Sequence, residues 1–375
     1  MATVTLDDLT KKYGDLTAVN GLDLDVEDGE LLCLLGPSGC GKSTTLRMLG
    51  GLETPTDGDV YISDERVTDT PAYDRNTSIV FQSWALFPHK TVAENVAFGL
   101  KMDGVDEDER LAKARRVLDI VEMGEFEDAD PEDLSGGQKQ RVALARSLAV
   151  EPEVLLLDEP LSNLDKRLRE QMQLELRNIQ AEVDTTFVHV THDQNEAFTL
   201  ADRIGIMNDG QLEQVGAPRE VYDDPNNQFV EEFLGDTNLV SATVDELTAD
   251  GVVADVEFGT TIEVPTPTDD LEPGDPLSVS FRPEILTIEP AESDGTDAAA
   301  HDDGFTNELV GAVTDVLYRG SSVRFYVEIG DSSVFFEQSV GAETDFEVGD
   351  RVRVTWDPTD LLLFSAGDRV GGGGT

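Results

Sequence analysis

Gly36, Pro37, Ser38, Gly39, Cys40, Gly41, Lys42, Ser43 and Thr44 form a glycine-rich run that ends in a lysine and two hydroxyls. They match G-x-x-x-x-G-K-[ST] and follow five apolar residues, 31–35, that read as a buried strand. The succeeding TTLRMLGGL reads as a helix, so the match lies in the context that a phosphate-binding loop requires. Glycine is needed because the backbone must wrap phosphate oxygens closely, with its N–H groups and the helix N-terminus aimed at their charge. In such a loop Lys42 reaches the β- and γ-phosphates of a nucleoside triphosphate, and Ser43 holds Mg²⁺.

A second apolar run, VLLLDEP at 154–160, reads as another buried strand, ending in Asp158 and Glu159. Asp158 can organise Mg²⁺ directly or through water, and Glu159 can orient and polarise the water that attacks the γ-phosphate. Alone, the acidic pair also describes a solvated strand end; the upstream loop favours the catalytic reading. In LSGGQKQRVALARSLA, 134–149, Ser135 and Gln138 form a capping-box pattern before an apolar-periodic helix. Gly136 and Gly137 open the helix's positive end to close approach by an anion, which a cap alone does not need.

The 134–149 run resembles the signature sequence of ABC ATPases, and the other motifs fall where that resemblance implies. Gln82 in IVFQSWALFPH resembles the glutamine that senses Mg²⁺ and the attacking water. The stretch SNLD, Ser162 to Asp165, resembles the loop that crosses the dimer interface. His192 in VTHDQNEA looks like the switch histidine that contacts the γ-phosphate, and Tyr13 in KKYGDLTAV like the aromatic that stacks on adenine. Core packing is the alternative for Tyr13. Metal contacts are implied for Ser43, Gln82 and Asp158, and nucleotide contacts for Tyr13, the 36–44 loop, Ser135 to Gln138 and Asp165.

In this family one subunit's signature closes over the nucleotide held by the other. The resemblance therefore implies ATP and Mg²⁺ as cofactors, and a homodimer or a heterodimer with a second ATPase subunit. No segment approaches the roughly 20 apolar residues of a spanning helix, so the chain is expected to be soluble, peripheral on the cytoplasmic face of the membrane, and to serve a separate transmembrane permease. An extracytoplasmic solute-binding protein is an indirect partner. Trp84, Leu86, Phe87 and Pro88 either meet that permease or pack locally.

The elements needed to position these residues divide the chain. Residues 1–235 alternate apolar strands with amphipathic helices, an α/β pattern; the resemblance makes it a P-loop ABC ATPase domain with a helical subdomain. From 236 to 375, strand-like runs dominate: 252–264, 277–288, 309–318, 323–329, 334–340 and 352–356. Val323, Phe325, Val327 and Ile329 alternate with Arg324, Tyr326 and Glu328, the period of a half-buried strand. The pattern predicts a small β-barrel or a pair of barrels. FLGDTNLV and Phe281-Arg282-Pro283-Glu284 resemble importer ATPases with an OB-like (TOBE) regulatory domain. Arg282 is either part of its regulation or a structural ion-pair partner. The acidic stretch 291–304, with a solvated His301, is expected to be a surface loop, and GGGGT a frayed tail.

Composition adds a working medium. The chain has 78 acidic and 27 basic residues, a net charge of -51, and no lysine after Lys166. Dispersed acid with scarce lysine suits concentrated salt, and so a halophile, because the Debye length falls to about 3 Å at 1 M and screens self-repulsion. The charge also lacks the basic footprint of nucleic-acid binding. ABC ATPases that act on DNA or ribosomes usually carry coiled-coil or zinc-bearing insertions or a second cassette, and none is visible. Cys33 and Cys40 are too few for a disulfide framework or a four-ligand zinc site. For the solute, VFQSWALFPHKTVAENVAFGLKM and FLGDTNLV resemble polyamine (spermidine/putrescine), iron or oxyanion importers, with sugar or glycerol-phosphate importers as the alternative.

Overall fold

The computed structural model describes residues 2–183, 185–249, 251–266, 271–291, 308–330, 332–341 and 346–370. The expected loop at 292–304 with His301, and the tail from 371, lie outside them. The chain divides into two compact units, Met1–Val221 and Tyr222–Thr375.

The first unit begins with β1 (Val4–Tyr13), β2 (Leu16–Val26), β3 (Leu31–Leu35), α1 (Lys42–Leu49), β4 (Asp57–Ile62), β5 (Glu65–Arg66) and β6 (Thr77–Val80). A helical stretch follows, α2 (Val92–Val96), α3 (Phe98–Met102), α4 (Glu107–Ile120) and α5 (Gly136–Leu148). The chain then returns through β7 (Val154–Asp158), α6 (Lys166–Glu182), β8 (Thr186–Thr191), α7 (Gln194–Leu200), β9 (Arg203–Asn208), β10 (Gln211–Gly216) and α8 (Pro218–Asp223).

Two sheets result. One is antiparallel in the order β2-β1-β4-β5; the other runs β10-β9-β3-β8-β7-β6 and is parallel except for the β9–β10 hairpin. Every residue of β3, β7 and β8 is buried, which is why these segments read as continuous apolar runs. The departures from apolarity within those strands include Asp158, Thr186, His189 and Thr191. Loops that leave adjacent parallel strands at their C-terminal ends converge on one crevice, the usual ligand position in such sheets. Here those loops follow β3, β6, β7 and β8.

In the second unit α9 (Gln228–Leu234) precedes β11 (Asn238–Leu247), β12 (Val252–Val256), β13 (Thr260–Val264), β14 (Pro276–Phe281), β15 (Thr287–Pro290), β16 (Glu308–Tyr318), β17 (Ser322–Ile329), β18 (Ser332–Ser339), β19 (Arg351–Thr355), β20 (Leu362–Ser365) and β21 (Asp368–Arg369). These strands form two sheets, β13-β12-β11-β14-β20-β21 and β15-β19-β16-β17-β18, around one apolar core that includes Phe281, Phe325, Phe336 and Trp356. The all-β expectation holds, with two corrections. Residues 252–264 are a hairpin and not one strand, because Gly259 turns the chain at φ +77°. The run 277–288 is broken at Pro283, so that its halves join different sheets. Along β17 the alternation holds apart from Arg324, which is buried because Asp236 and Glu337 neutralise it and its guanidinium lies over the Phe335 ring.

Candidate functional site

The 36–43 loop is shaped by contacts that leave no room for side chains. A Cβ at Gly36 would collide with the Met207 carbonyl oxygen, and one at Gly41 would lie 2.5 Å from that of Ala18. Gly39 and Gly41 also have φ of +85° and +109°, where L-residues are strained. Lys42, buried to 5% exposure, folds back on the loop: its Nζ donates to the carbonyls of Gly36 at 2.6 Å and Pro37 at 2.9 Å. Cys40 is buried in the loop and Cys33 in β3; burial pushes the Cys33 thiol well above its ordinary range.

Ser43 Oγ donates to Asp158 Oδ1 at 2.9 Å, joining the start of α1 to the end of β7. A hydroxyl and a carboxylate oxygen side by side are hard oxygen donors, the set that Mg²⁺ takes beside phosphate oxygens. Glu159, one residue on, has φ +47°, and its N–H donates to Val190 O at 3.1 Å. That turn brings Glu159 Oε2 to 3.2 Å from His192 Nδ1. Gln82 Nε2 donates to Ser162 Oγ at 3.0 Å, Ser162 Oγ to Glu159 O at 2.8 Å, and Asn163 Nδ2 to Gln82 O at 3.1 Å. The structure thus gathers Lys42, Ser43, Gln82, Asp158, Glu159 and His192 at the C-terminal ends of neighbouring strands.

The remaining candidates stand apart from this linked set. Tyr13, at the end of β1, is 44% exposed with Lys11 Nζ 5.0 Å from its ring centre, so core packing does not account for it. Asp165 caps α6, accepting from Leu168 N at 3.1 Å. Ser135 and Gln138 make both halves of a capping box at the start of α5. Arg282 takes the structural alternative, pairing with the fully buried Glu231 and lying over the Tyr222 ring.

Sequence reasoning passed over Arg146. Its Nη1 and Nη2 donate to the carbonyls of Ala85 at 2.7 Å and Trp84 at 2.8 Å, and it lies over Phe87. Trp84 and Ala85 both have positive φ, +58° and +44°, and Trp84 Nε1 donates to Pro160 O at 3.3 Å. Trp84, Leu86 and Phe87 are half-buried and Pro88 is exposed, so the segment both packs locally and presents a face. No sequence signal marked Arg146, because a lone arginine late on a helix has no fixed partner spacing.

Residues 19–162 match the family described as ABC transporter, and residues 279–364 the family described as TOBE domain. The chain is 42% identical over 364 residues to the spermidine/putrescine import ATP-binding protein PotA of Rubrobacter xylanophilus, covering 96% of this chain and 93% of that protein. It is 42% identical over 359 residues to the protein of the same name from Vibrio cholerae, covering 94% and 92%. Among solved structures, a dimeric ATP-binding cassette in a post-hydrolysis state bound to ADP and Pi aligns with TM-score 0.51 and 35% identity, over 58% of this chain and 99% of that one.

Proposed function

Because this chain belongs to the ABC transporter ATP-binding family, we propose that its hydrolysis of ATP drives the uptake of a polyamine, spermidine or putrescine, through a separate membrane permease. The chain is the ATP-hydrolysing subunit of an importer; the solute is the inference, and it rests on the names of its relatives. The observation that carries the catalytic reading is the meeting of the glycine-walled loop with Ser43–Asp158 and Glu159–His192 at the C-terminal ends of neighbouring strands.

In this reading Lys42 exchanges the Gly36 and Pro37 carbonyls for phosphate oxygens, while the loop's glycines let backbone N–H groups approach the same charge. Ser43, Asp158 and Gln82 would hold Mg²⁺ through their oxygens, and the ion when bound would supply positive charge against that developing on the phosphate oxygens. Glu159 orients and polarises the attacking water, and the exposed His192 ring beside it contacts the γ-phosphate. Tyr13 offers its exposed face to adenine. Ser135, Gly136, Gly137, Gln138 and Asp165 close over nucleotide held by a second cassette, in a homodimer or a heterodimer. Nucleotide that binds the closed form better than the open one shifts the pair toward closure.

Among the described residues no helix is long and apolar enough to cross a membrane; in this reading the permease is a separate chain, and this one sits against that permease's cytoplasmic face. The test is uptake of radiolabelled spermidine and putrescine by cells lacking this chain and complemented with wild type or Lys42→Ala. Restoration by wild type alone is expected; uptake that does not depend on the chain, while another solute's does, would overturn the polyamine assignment.

A further inference from the structure

A buried polar cluster lies behind the turn that carries His192. His189, fully buried on β8, sets Nε2 2.8 Å from Glu196 Oε1, and Glu196, 3% exposed, accepts through Oε2 from Thr191 Oγ1 at 2.7 Å. Thr191 Oγ1 in turn accepts from Asp193 N at 3.0 Å. Asp193 caps α7 by accepting from Glu196 N at 3.2 Å, and its other carboxylate oxygen accepts from Arg169 Nη1 at 3.0 Å. Both chain neighbours of His192 are therefore anchored directly or through one hydroxyl to Glu196.

This arrangement is not what core packing asks for. β8 lies between parallel strands, where an apolar residue serves at every position, and buried polar groups must find partners to offset their desolvation. The polar residues at 189 and 191 nonetheless stand at the end of the strand beside the turn. The His192 side chain is 56% exposed, and its Nδ1 meets Glu159 Oε2 at 3.2 Å. Its position is consequently set by its backbone, and that backbone is fixed by Thr191 and Asp193.

We propose that Thr191 and Glu196 are positioning residues for His192, acting on hydrolysis through the placement of its ring and not through contact with nucleotide. The inference rests on the reading of His192 as the γ-phosphate contact. Thr191→Val removes the hydroxyl and keeps the β-branched shape that suits a strand, and Thr191→Ser keeps the hydroxyl. Single-turnover hydrolysis of labelled ATP by the full chain is measured for both, alone and combined with His192→Ala, beside the thermal unfolding midpoint and the KM for ATP.

Thr191→Val is expected to lower the rate about tenfold with KM changed less than about twofold, since small misplacements of a catalytic group cost rate more than binding. Thr191→Ser is expected to retain the wild-type rate. In the His192→Ala background Thr191→Val is expected to add no further loss. A wild-type rate in Thr191→Val, where His192→Ala is impaired, overturns the proposal. So does an equal fractional loss in both backgrounds, which marks a structural role independent of the ring. A wild-type rate in His192→Ala alone instead removes the reading on which the proposal rests. If Thr191→Val does not fold, Glu196→Gln, which keeps the side-chain shape, serves as the second variant with the same epistasis expected.

Discussion

At the scale of the residue, the chemistry depends on a few groups whose replacement gives separable outcomes. Glu159→Gln keeps the side-chain volume and removes the carboxylate beside His192. Steady-state phosphate release is expected to fall at least about a hundredfold, while ATP binding, read by equilibrium dialysis, stays within about threefold. Gly36→Ala is expected to cost stability, by about 2 kcal/mol or more, because its methyl group would strike the Met207 carbonyl, a backbone atom that cannot turn aside. Urea denaturation measures this, and an unchanged midpoint would show that the loop yields.

The residues proposed to bind phosphate were legible in the sequence because that chemistry demands glycine, lysine and a hydroxyl at fixed spacing. His189, Thr191 and Glu196 were not, since their meaning depends on which groups face one another once β8 and α7 pack. Arg146 was hidden for the same reason: its partners, the carbonyls of Trp84 and Ala85, lie some sixty residues away and carry no side-chain signature.

At the scale of the element, the segment after Gln82 is held in two consecutive left-handed conformations by a helix that also carries the signature at its other end. Burial lowers the affinity of Arg146 for its proton, and the carbonyls of Trp84 and Ala85 are what solvate its charge. Arg146→Lys cannot reproduce the planar fork, so it is expected to destabilise the fold by about 1–3 kcal/mol in urea denaturation. Ser135→Ala removes half of the capping box and is expected to cost about 1 kcal/mol, measured in the same way.

In the second unit, the Arg324 guanidinium bonds to the Asp236 carboxylate and holds it below the ordinary carboxylate range. A depressed carboxylate contributes stability above its unfolded-state pKa, and that contribution is lost as pH falls through the native value. The stability difference between wild type and Asp236→Asn should then be constant above about pH 5, shrink below about pH 4, and stay under about 1 kcal/mol because the group is largely exposed. Strand boundaries in this unit were the least legible part of the fold. Gly259 and Pro283 interrupt runs whose apolar content is continuous, and composition alone does not reveal that the two halves of 277–288 serve different sheets.

At the scale of the whole molecule, two features govern behaviour. The first is the net charge of -51, which opposes compaction in dilute buffer and is screened in salt. The thermal midpoint and ATPase activity are expected to rise together as KCl is raised from about 0.1 M to about 2 M; a flat response would separate the acidic composition from a saline working medium. The second feature is that the phosphate loop and the signature belong to one chain but, in the proposed dimer, serve different nucleotides.

That division of labour is tested most directly by mixing two variants, Lys42→Ala and Ser135→Arg, and measuring phosphate release against wild type. Each alone is expected to be inactive, because every site in its dimer carries a damaged half. In an equal mixture half of the dimers pair the variants, each with one intact site of two, so activity should return to about a quarter of wild type. No recovery on mixing, with wild type active and both variants folded and able to exchange partners, would contradict a nucleotide site shared between two cassettes.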